Sequence, residues 1–171
     1  MRSTLLLLVA LLLSACGFHM RGHNQNGSEY AFRSLYLKTT AETPFTTELR
    51  TNLELNKIIL ASSSAEADLV LDIVTQSTDK QIIALSGAGQ VREFQLRYRV
   101  SLRAYDSKQN NWLSADEILL QRSLTYDDSQ ILAKEQEEAM LFRDMQTDAV
   151  QQVLRRLSRA KPRTESSEPV R

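Results

Sequence analysis

The chain has 171 residues, and its 21 basic and 21 acidic side chains give a formal net charge of zero at pH 7. This balance excludes a nucleic-acid partner of the usual kind, which needs a basic excess. The length favours one domain, and a hydrophobic content of 42% is typical of a globular protein.

Residues 1–15 have the features of a bacterial secretory signal. Arg2 supplies the positive charge, residues 5–13 form a nine-residue apolar run, and Ser14 and Ala15 are small enough for a processing site. A membrane-spanning helix needs about 20 apolar residues, so this run is too short to cross a bilayer stably. We therefore predict that residues 1–15 are a signal peptide that is removed.

Cys16 is the only cysteine in the chain. The sequence Leu13-Ser14-Ala15-Cys16 resembles the bacterial lipobox, in which the sulfur receives a diacylglyceryl group and the new N-terminus is acylated. Two or more acyl chains hold a protein on a membrane durably, whereas one binds only marginally. The alternative is an ordinary signal followed by an incidental free cysteine. Gly17 takes the sorting position where Asp usually retains a lipoprotein at the inner membrane, so it indicates the outer membrane. No cofactor beyond this covalent lipid is expected.

Residues 16–29 are polar and contain glycine, which predicts a flexible, lipidated tether. Its two histidines, His19 and His23, lack the further ligands that a metal site requires. The folded domain is expected at residues 30–159, followed by a disordered tail at residues 160–171.

The first half of the domain predicts a strand at residues 30–38, a helix and a second, brief strand at residues 57–61. Thr43 before Pro44 is a helix start signal, and apolar residues at helical spacing continue to about Asn56.

The middle of the chain carries the strongest sheet signal. Leu69, Leu71 and Ile73 alternate with their neighbours, and Ile83 and Leu85 are predicted to resume the same register. A turn is expected at residues 86–89, a long strand at 91–106 and another at 112–126. Strands of this length predict a bulge, which we place at residues 78–80. In the strand at 91–106, even-numbered apolar residues alternate with Arg97, Arg99 and Arg103 on the opposite face.

Asp127, Asp128 and Ser129 predict a helix cap, and residues 130–159 form an amphipathic helix with a continuous apolar stripe. The element order β–α–β–β–β–β–α predicts an α+β fold with two helices on one face of a mostly antiparallel sheet. The arginine row then lies on the other face. Arginine binds phosphate with its planar fork, but a solvated outer face explains the same pattern. The chain shows no catalytic set, so we expect no enzyme activity.

Several stretches resemble the LptE (RlpB) family of lipopolysaccharide-assembly lipoproteins. They are the signal ending in Leu-Ser-Ala-Cys-Gly-Phe-His-Met-Arg-Gly at residues 13–22, and residues 49–56, 89–96 and 132–145. Cys-Gly-Phe-His at 16–19 and Ala-Lys-Glu-Gln-Glu-Glu at 133–138 are the most specific of these motifs in combination.

The resemblance implies two helices on a four-stranded sheet and a lipid-anchored location on the periplasmic side of the outer membrane. It implies that the protein plugs and helps assemble the LptD β-barrel, and that it binds lipopolysaccharide during its final transport to the cell surface. Lys134 matches one basic position linked to lipopolysaccharide contact. The other position falls in residues 86–89, which carry no charge in this chain, and Arg92 and Lys80 are the candidates to replace it. A stand-alone periplasmic lipid- or glycan-binding lipoprotein is the alternative.

Overall fold

A computed structural model describes residues 30–162 of the chain. The predicted signal peptide, Cys16, Gly17, the two histidines of the tether, and the tail from residue 163 onward lie outside the described residues. Within residues 30–162, no helix combines the length and the apolar character that a membrane crossing requires.

The described chain forms one mixed five-stranded sheet, in the order β2-β1-β3-β4-β5, with two helices packed on it. Strands β3, β4 and β5 form an antiparallel meander, whereas β1 runs parallel to both β2 and β3. The elements are β1 (Ser34–Thr39), α1 (Pro44–Leu55), β2 (Ile59–Leu60), β3 (Leu69–Leu85), β4 (Val91–Tyr105), β5 (Asn111–Thr125), a 3₁₀ turn (Asp128–Gln130) and α2 (Ile131–Arg159). The α+β class is as predicted.

The count of four strands implied by the family resemblance is wrong, whereas the brief strand predicted at residues 57–61 is present as β2. The two-residue β2 pairs in parallel with the start of β1 through Ser34 and Leu35, which adds a fifth strand at the edge. The first strand also begins later than predicted, at Ser34. Tyr30 and Phe32 are buried ahead of it through side-chain packing rather than through sheet pairing. Aromatic residues are common in strands, so Tyr30 and Phe32 led to a predicted strand that starts too early.

Helix α1 begins as predicted. Thr43 is its N-cap: the Thr43 hydroxyl accepts from the Thr46 backbone N–H at 3.2 Å, and the Thr46 hydroxyl accepts from the Thr43 N–H at 2.8 Å. This reciprocal capping box satisfies two backbone donors that the first turn leaves free. Phe45, Leu49 and Leu53 are fully buried on one face of the helix.

Strand β3 contains its bulge in a different place from the predicted one. Residues 78–80 pair regularly with β4, and the register shifts lie between Ile73 and Thr75 and again between Ile82 and Leu85. Because side chains alternate with a period of two, the extra residue near Val74 exchanges the two faces of the strand. Lys80, which pairs with the buried Leu96, consequently lies on the helix-covered face.

Helix α2 has 29 residues and is therefore about 43 Å long. It packs on β4 and β5 and also contacts α1, so both helices cover one side of the sheet. The predicted acidic cap is present: the Asp127 carboxylate accepts from the Ser129 backbone N–H at 2.9 Å and begins the 3₁₀ turn that leads into α2. The buried stripe of α2 comprises Met145, Ala149, Val150, Val153, Leu154 and Leu157.

Candidate functional site

The β3–β4 turn and the junction between β5 and α2 meet at one end of the domain, which we call the distal end. The backbone joins the two parts there, because the Tyr126 N–H donates to the Arg92 carbonyl at 2.8 Å. The side chains that build this end are Lys80, Arg92, Phe94, Asp127, Lys134 and Glu138. It thus contains all three basic residues that the sequence linked to lipopolysaccharide.

Lys80 ties β3 to α2 at the distal end. Its ammonium nitrogen lies 2.5 Å from the Glu138 carboxylate and 4.2 Å from the centroid of the Phe94 ring. The Phe94 ring in turn meets Tyr126 edge to face at 5.2 Å. A cation above an aromatic face is attracted by the ring quadrupole, so Lys80 is held from two sides.

Lys134 lies in the first turns of α2 and is more enclosed than a typical surface lysine. Its side chain is only 16% exposed, and its ammonium group is 2.8 Å from Glu137. It also donates to the Thr125 hydroxyl at 3.2 Å, which fixes it across the end of β5. These contacts pre-orient the charge and lower the entropy lost when it binds a ligand.

The carboxylate of Asp127 lies near two cations of the distal end, Arg92 and Lys134. Hydrogen bonds from the backbone and side chain of Ser129 lower the pKa of Asp127, and the positive charges of Arg92 and Lys134 lower it further. Arg92 and Lys134 are therefore close enough for their fields to act on one carboxylate. These cations already interact with carboxylates. A phosphate that bound here would therefore replace a carboxylate as their partner.

Aliphatic side chains exposed to solvent lie on the same parts of β3 and α2 as this charged cluster. Ile82 and Leu85, at the end of β3, are 54% and 59% exposed, and Leu132, at the start of α2, is 76% exposed. Sequence alternation had assigned Leu85 to the buried face, and the bulges of β3 explain its exposure. The distal end therefore combines fixed cations with apolar surface, a combination that sequence reasoning missed.

The arginine row lies on the sheet face opposite the helices and is paired with acidic groups. Arg103 donates to one Asp72 oxygen at 2.9 and 3.1 Å. Arg97 and Arg99 are 3.9 Å from Asp79 and 3.8 Å from Glu117. These pairs leave less free positive charge for a phosphate than the sequence alone suggests, and they fit a charged outer face.

The described residues contain no candidate metal centre. Between residues 30 and 162, no three His, Cys, Asp or Glu side chains are grouped in a way that would hold a metal ion. The fold and the distal end together define a two-layer α+β domain that presents cationic and aliphatic groups at one end of its sheet.

Comparison with known proteins places this domain in a family. Residues 29–157 match the family model LptE, described as lipopolysaccharide-assembly, and the chain belongs to this family. A relative in Photorhabdus laumondii, the LPS-assembly lipoprotein LptE, is 28% identical over 159 residues, which are 90% of this chain and 84% of that protein. The resemblance found in the sequence is confirmed, and the protein is an outer-membrane-associated lipoprotein of lipopolysaccharide assembly.

Solved structures of related lipoproteins share the fold. The solution structure of lipoprotein B from Nitrosomonas europaea is 34% identical, has a TM-score of 0.71, and is matched over 81% of this chain and 91% of that one. The rare lipoprotein B of Shewanella oneidensis has a TM-score of 0.64 at 24% identity, over 71% of this chain and 91% of that one. A minor lipoprotein of Acinetobacter baumannii also has a TM-score of 0.64 at 24% identity, over 79% and 98% of the two chains.

Proposed function

We propose that this protein plugs and helps assemble the LptD β-barrel, and that its distal end binds lipopolysaccharide during the final transport step. Family membership supports the general role. The single observation that carries the binding site is the convergence of Lys80, Arg92 and Lys134 beside exposed aliphatic side chains.

The distal end matches the chemistry of lipopolysaccharide, which joins phosphate groups to acyl chains. Lysine and arginine form charge-assisted hydrogen bonds with phosphate oxygens. Ile82, Leu85 and Leu132 supply apolar surface next to these cations, and burying it against acyl chains is favourable by about 25 cal/mol per Å². One ligand with both groups would satisfy the charges and cover the aliphatic side chains together.

The outer sheet face supports the proposed place in a barrel lumen. The interior of a large membrane barrel is polar, so a domain lodged there needs a charged surface. The ion pairs of Arg97, Arg99 and Arg103 provide one. In this proposal Cys16 carries the lipid anchor on the periplasmic side of the outer membrane, Gly17 permits that sorting, and residues 16–29 span from the membrane to the domain.

Lys134→Ala is expected to weaken lipopolysaccharide binding by about tenfold. A hydrogen bond to a charged group contributes about 1.5–3 kcal/mol, and Lys134 must partly exchange Glu137 for the ligand, so the lower end applies. Binding of purified lipopolysaccharide to the protein in mild detergent gives the measurement. Lys108→Ala, in the exposed turn at the opposite end of the sheet, is the matched control. Equal affinity for Lys134→Ala and the wild type would show that the distal end is not the site.

Affinity purification from outer membranes tests the barrel and the anchor. The tagged protein is expected to bring down LptD, and its N-terminal peptide is expected to begin at Cys16 with glycerol-linked and amide-linked acyl chains. Cys16→Ser is expected to keep the fold and to reduce the membrane-bound fraction. Lipopolysaccharide binding with no copurified barrel would instead favour a stand-alone periplasmic lipid-binding lipoprotein.

A further inference from the structure

The opposite end of the domain, which we call the tether end, contains a second concentration of positive charge. Here the Phe32 ring meets Tyr30 at 5.5 Å and Trp112 at 6.1 Å between ring centroids. Helix α2 ends beside them, about 38 Å along its axis from Lys134 to Arg159. The chain preceding Tyr30 leads back to Cys16 from this end.

A cavity of about 490 Å³ opens at the tether end. Ligand pockets typically measure about 300–1,000 Å³, so this one is large enough for a small polar headgroup. Among the described residues, its wall includes four cationic side chains and none that is acidic. The residues that line the cavity include Trp112, Leu113, Arg155, Arg156, Arg159 and Lys161.

Only one of these four cations has an acidic partner among the described residues. Arg156 lies 2.6 Å from Asp116 and donates to the Glu117 carbonyl at 3.3 Å, so it is fixed to β5. Within residues 30–162, Arg155, Arg159 and Lys161 have no ion pair. Three positive charges at this cavity therefore have no compensating carboxylate within the part of the chain that the structure describes.

The sequence of α2 makes this arrangement unfavourable without a counter-charge. Arg155 and Arg159 are four residues apart on one helix face, a spacing at which like charges repel. The helix C-terminus favours cations, which accounts for basic residues in the last turn. That effect fades within a turn and does not explain why these cations line the same cavity as Trp112. An anion in the cavity would relieve the repulsion.

Besides its cations, the cavity is lined by Trp112, a residue type that is common where proteins face a membrane. Its indole N–H lies 3.4 Å from an Asp106 oxygen, which helps to fix the ring. Tryptophan is enriched where a protein meets the interface between lipid and water, because the ring is apolar at one end and polar at the other. A phosphate bound by arginines beside a tryptophan is an arrangement suited to a lipid headgroup.

We propose that the tether-end cavity binds the phosphate of an anionic phospholipid in the leaflet that carries the anchor. The proposal rests on the anchoring of Cys16 proposed above. Tyr30 lies 14 positions after Cys16, and an extended chain of that length spans at most about 50 Å, so the cavity is within reach of the membrane surface. The headgroup contact would orient the domain, leaving the lipopolysaccharide site at the far end.

Trp112 also supplies the assay, because it is the only tryptophan in the chain. The protein, purified in a neutral detergent, is titrated with short-chain phosphatidylglycerol, short-chain phosphatidylcholine or inorganic phosphate. We expect a saturable change in Trp112 fluorescence with phosphatidylglycerol, at a concentration at least tenfold below that needed for phosphatidylcholine. An equal response to both lipids would overturn the proposal, as would saturation by inorganic phosphate at the same concentration as the lipid.

Matched variants identify the site. Arg155→Gln combined with Arg159→Gln is expected to weaken the phosphatidylglycerol response at least tenfold. Arg50→Gln, which changes an arginine on α1 that pairs with Glu42, is expected to leave the response unchanged. Equal affinity of the double variant and the wild type would exclude the cavity. Because the probe is a dispersed lipid, this titration reports on the cavity whether or not Cys16 is acylated, and failure of the anchor is detected separately by the N-terminal mass.

Discussion

Phe45→Ala is expected to lower the free energy of unfolding by about 3–5 kcal/mol. The Phe45 side chain is fully buried at the start of α1, and its ring lies 6.4 Å from that of Tyr98 on β4. Alanine would remove the apolar area that this ring buries and leave a cavity between helix and sheet, because neighbouring strands close such a space only in part. Urea denaturation of the wild type and the variant gives the difference directly.

Leu55→Ala in the same helix is the control for Phe45. Leu55 is 75% exposed, so its truncation is expected to change the free energy of unfolding by less than about 0.5 kcal/mol. A loss below about 1 kcal/mol for Phe45→Ala would contradict the packing of α1 against the sheet. Similar losses in the two variants would show that the helix face is assigned incorrectly.

The elements that sequence reasoning predicted well are those whose signals are local. The alternation of β4 is confirmed, because every apolar residue from Leu96 to Ala104 at even positions is buried. The Thr43 cap and the stripe of α2 are confirmed for the same reason: each is determined by residues within one or two turns of chain. No distant contact was needed to interpret them.

The features that sequence reasoning missed depend on contacts far apart in the chain. The bulge near Val74 is defined by pairing with β4, so it could not be distinguished from a bulge at residues 78–80. The brief strand β2 was predicted, but its parallel pairing with β1 at the edge of the sheet could not be inferred from the sequence. The tether-end cavity needs Trp112 and Arg159 together, although they are 47 positions apart in the sequence. The periodicity of one helix or strand does not show which residues of other elements it will contact.

Asp72 is the clearest case of a role that only the fold reveals. In the sequence it is one polar residue within an apolar run. In the structure its residue is 6% exposed, and one of its oxygens accepts hydrogen bonds from Lys38 on β1 and Arg103 on β4. Three adjacent strands are therefore joined at one carboxylate. Lys38 and Arg103 remain about half exposed, so water still stabilises both cations if the carboxylate is removed.

Asp72→Ala is expected to cost about 2–3 kcal/mol of unfolding free energy, because it removes charge-assisted hydrogen bonds on both sides of β3. The cost stays below that of a fully buried pair because both cations can turn into solvent. Asp79→Ala is the matched control, since Asp79 is exposed and lies 3.9 Å from Arg97. We expect that change to stay within about 0.5 kcal/mol. Equal losses in the two variants would show that Asp72 has no special role.

The pH dependence of stability provides an independent test of Asp72. The hydrogen bond and the negative charge of Asp72 raise the pKa of Lys38 above its ordinary value of 10.5. The stabilisation from protonated Lys38 is therefore present below the unfolded pKa and is lost as the pH rises through the higher folded pKa. The wild type should lose this contribution in alkaline solution, whereas Asp72→Ala should lack it already at pH 7. Denaturation midpoints measured from pH 7 to 11 would show parallel curves for the two proteins if Lys38 and Asp72 do not interact.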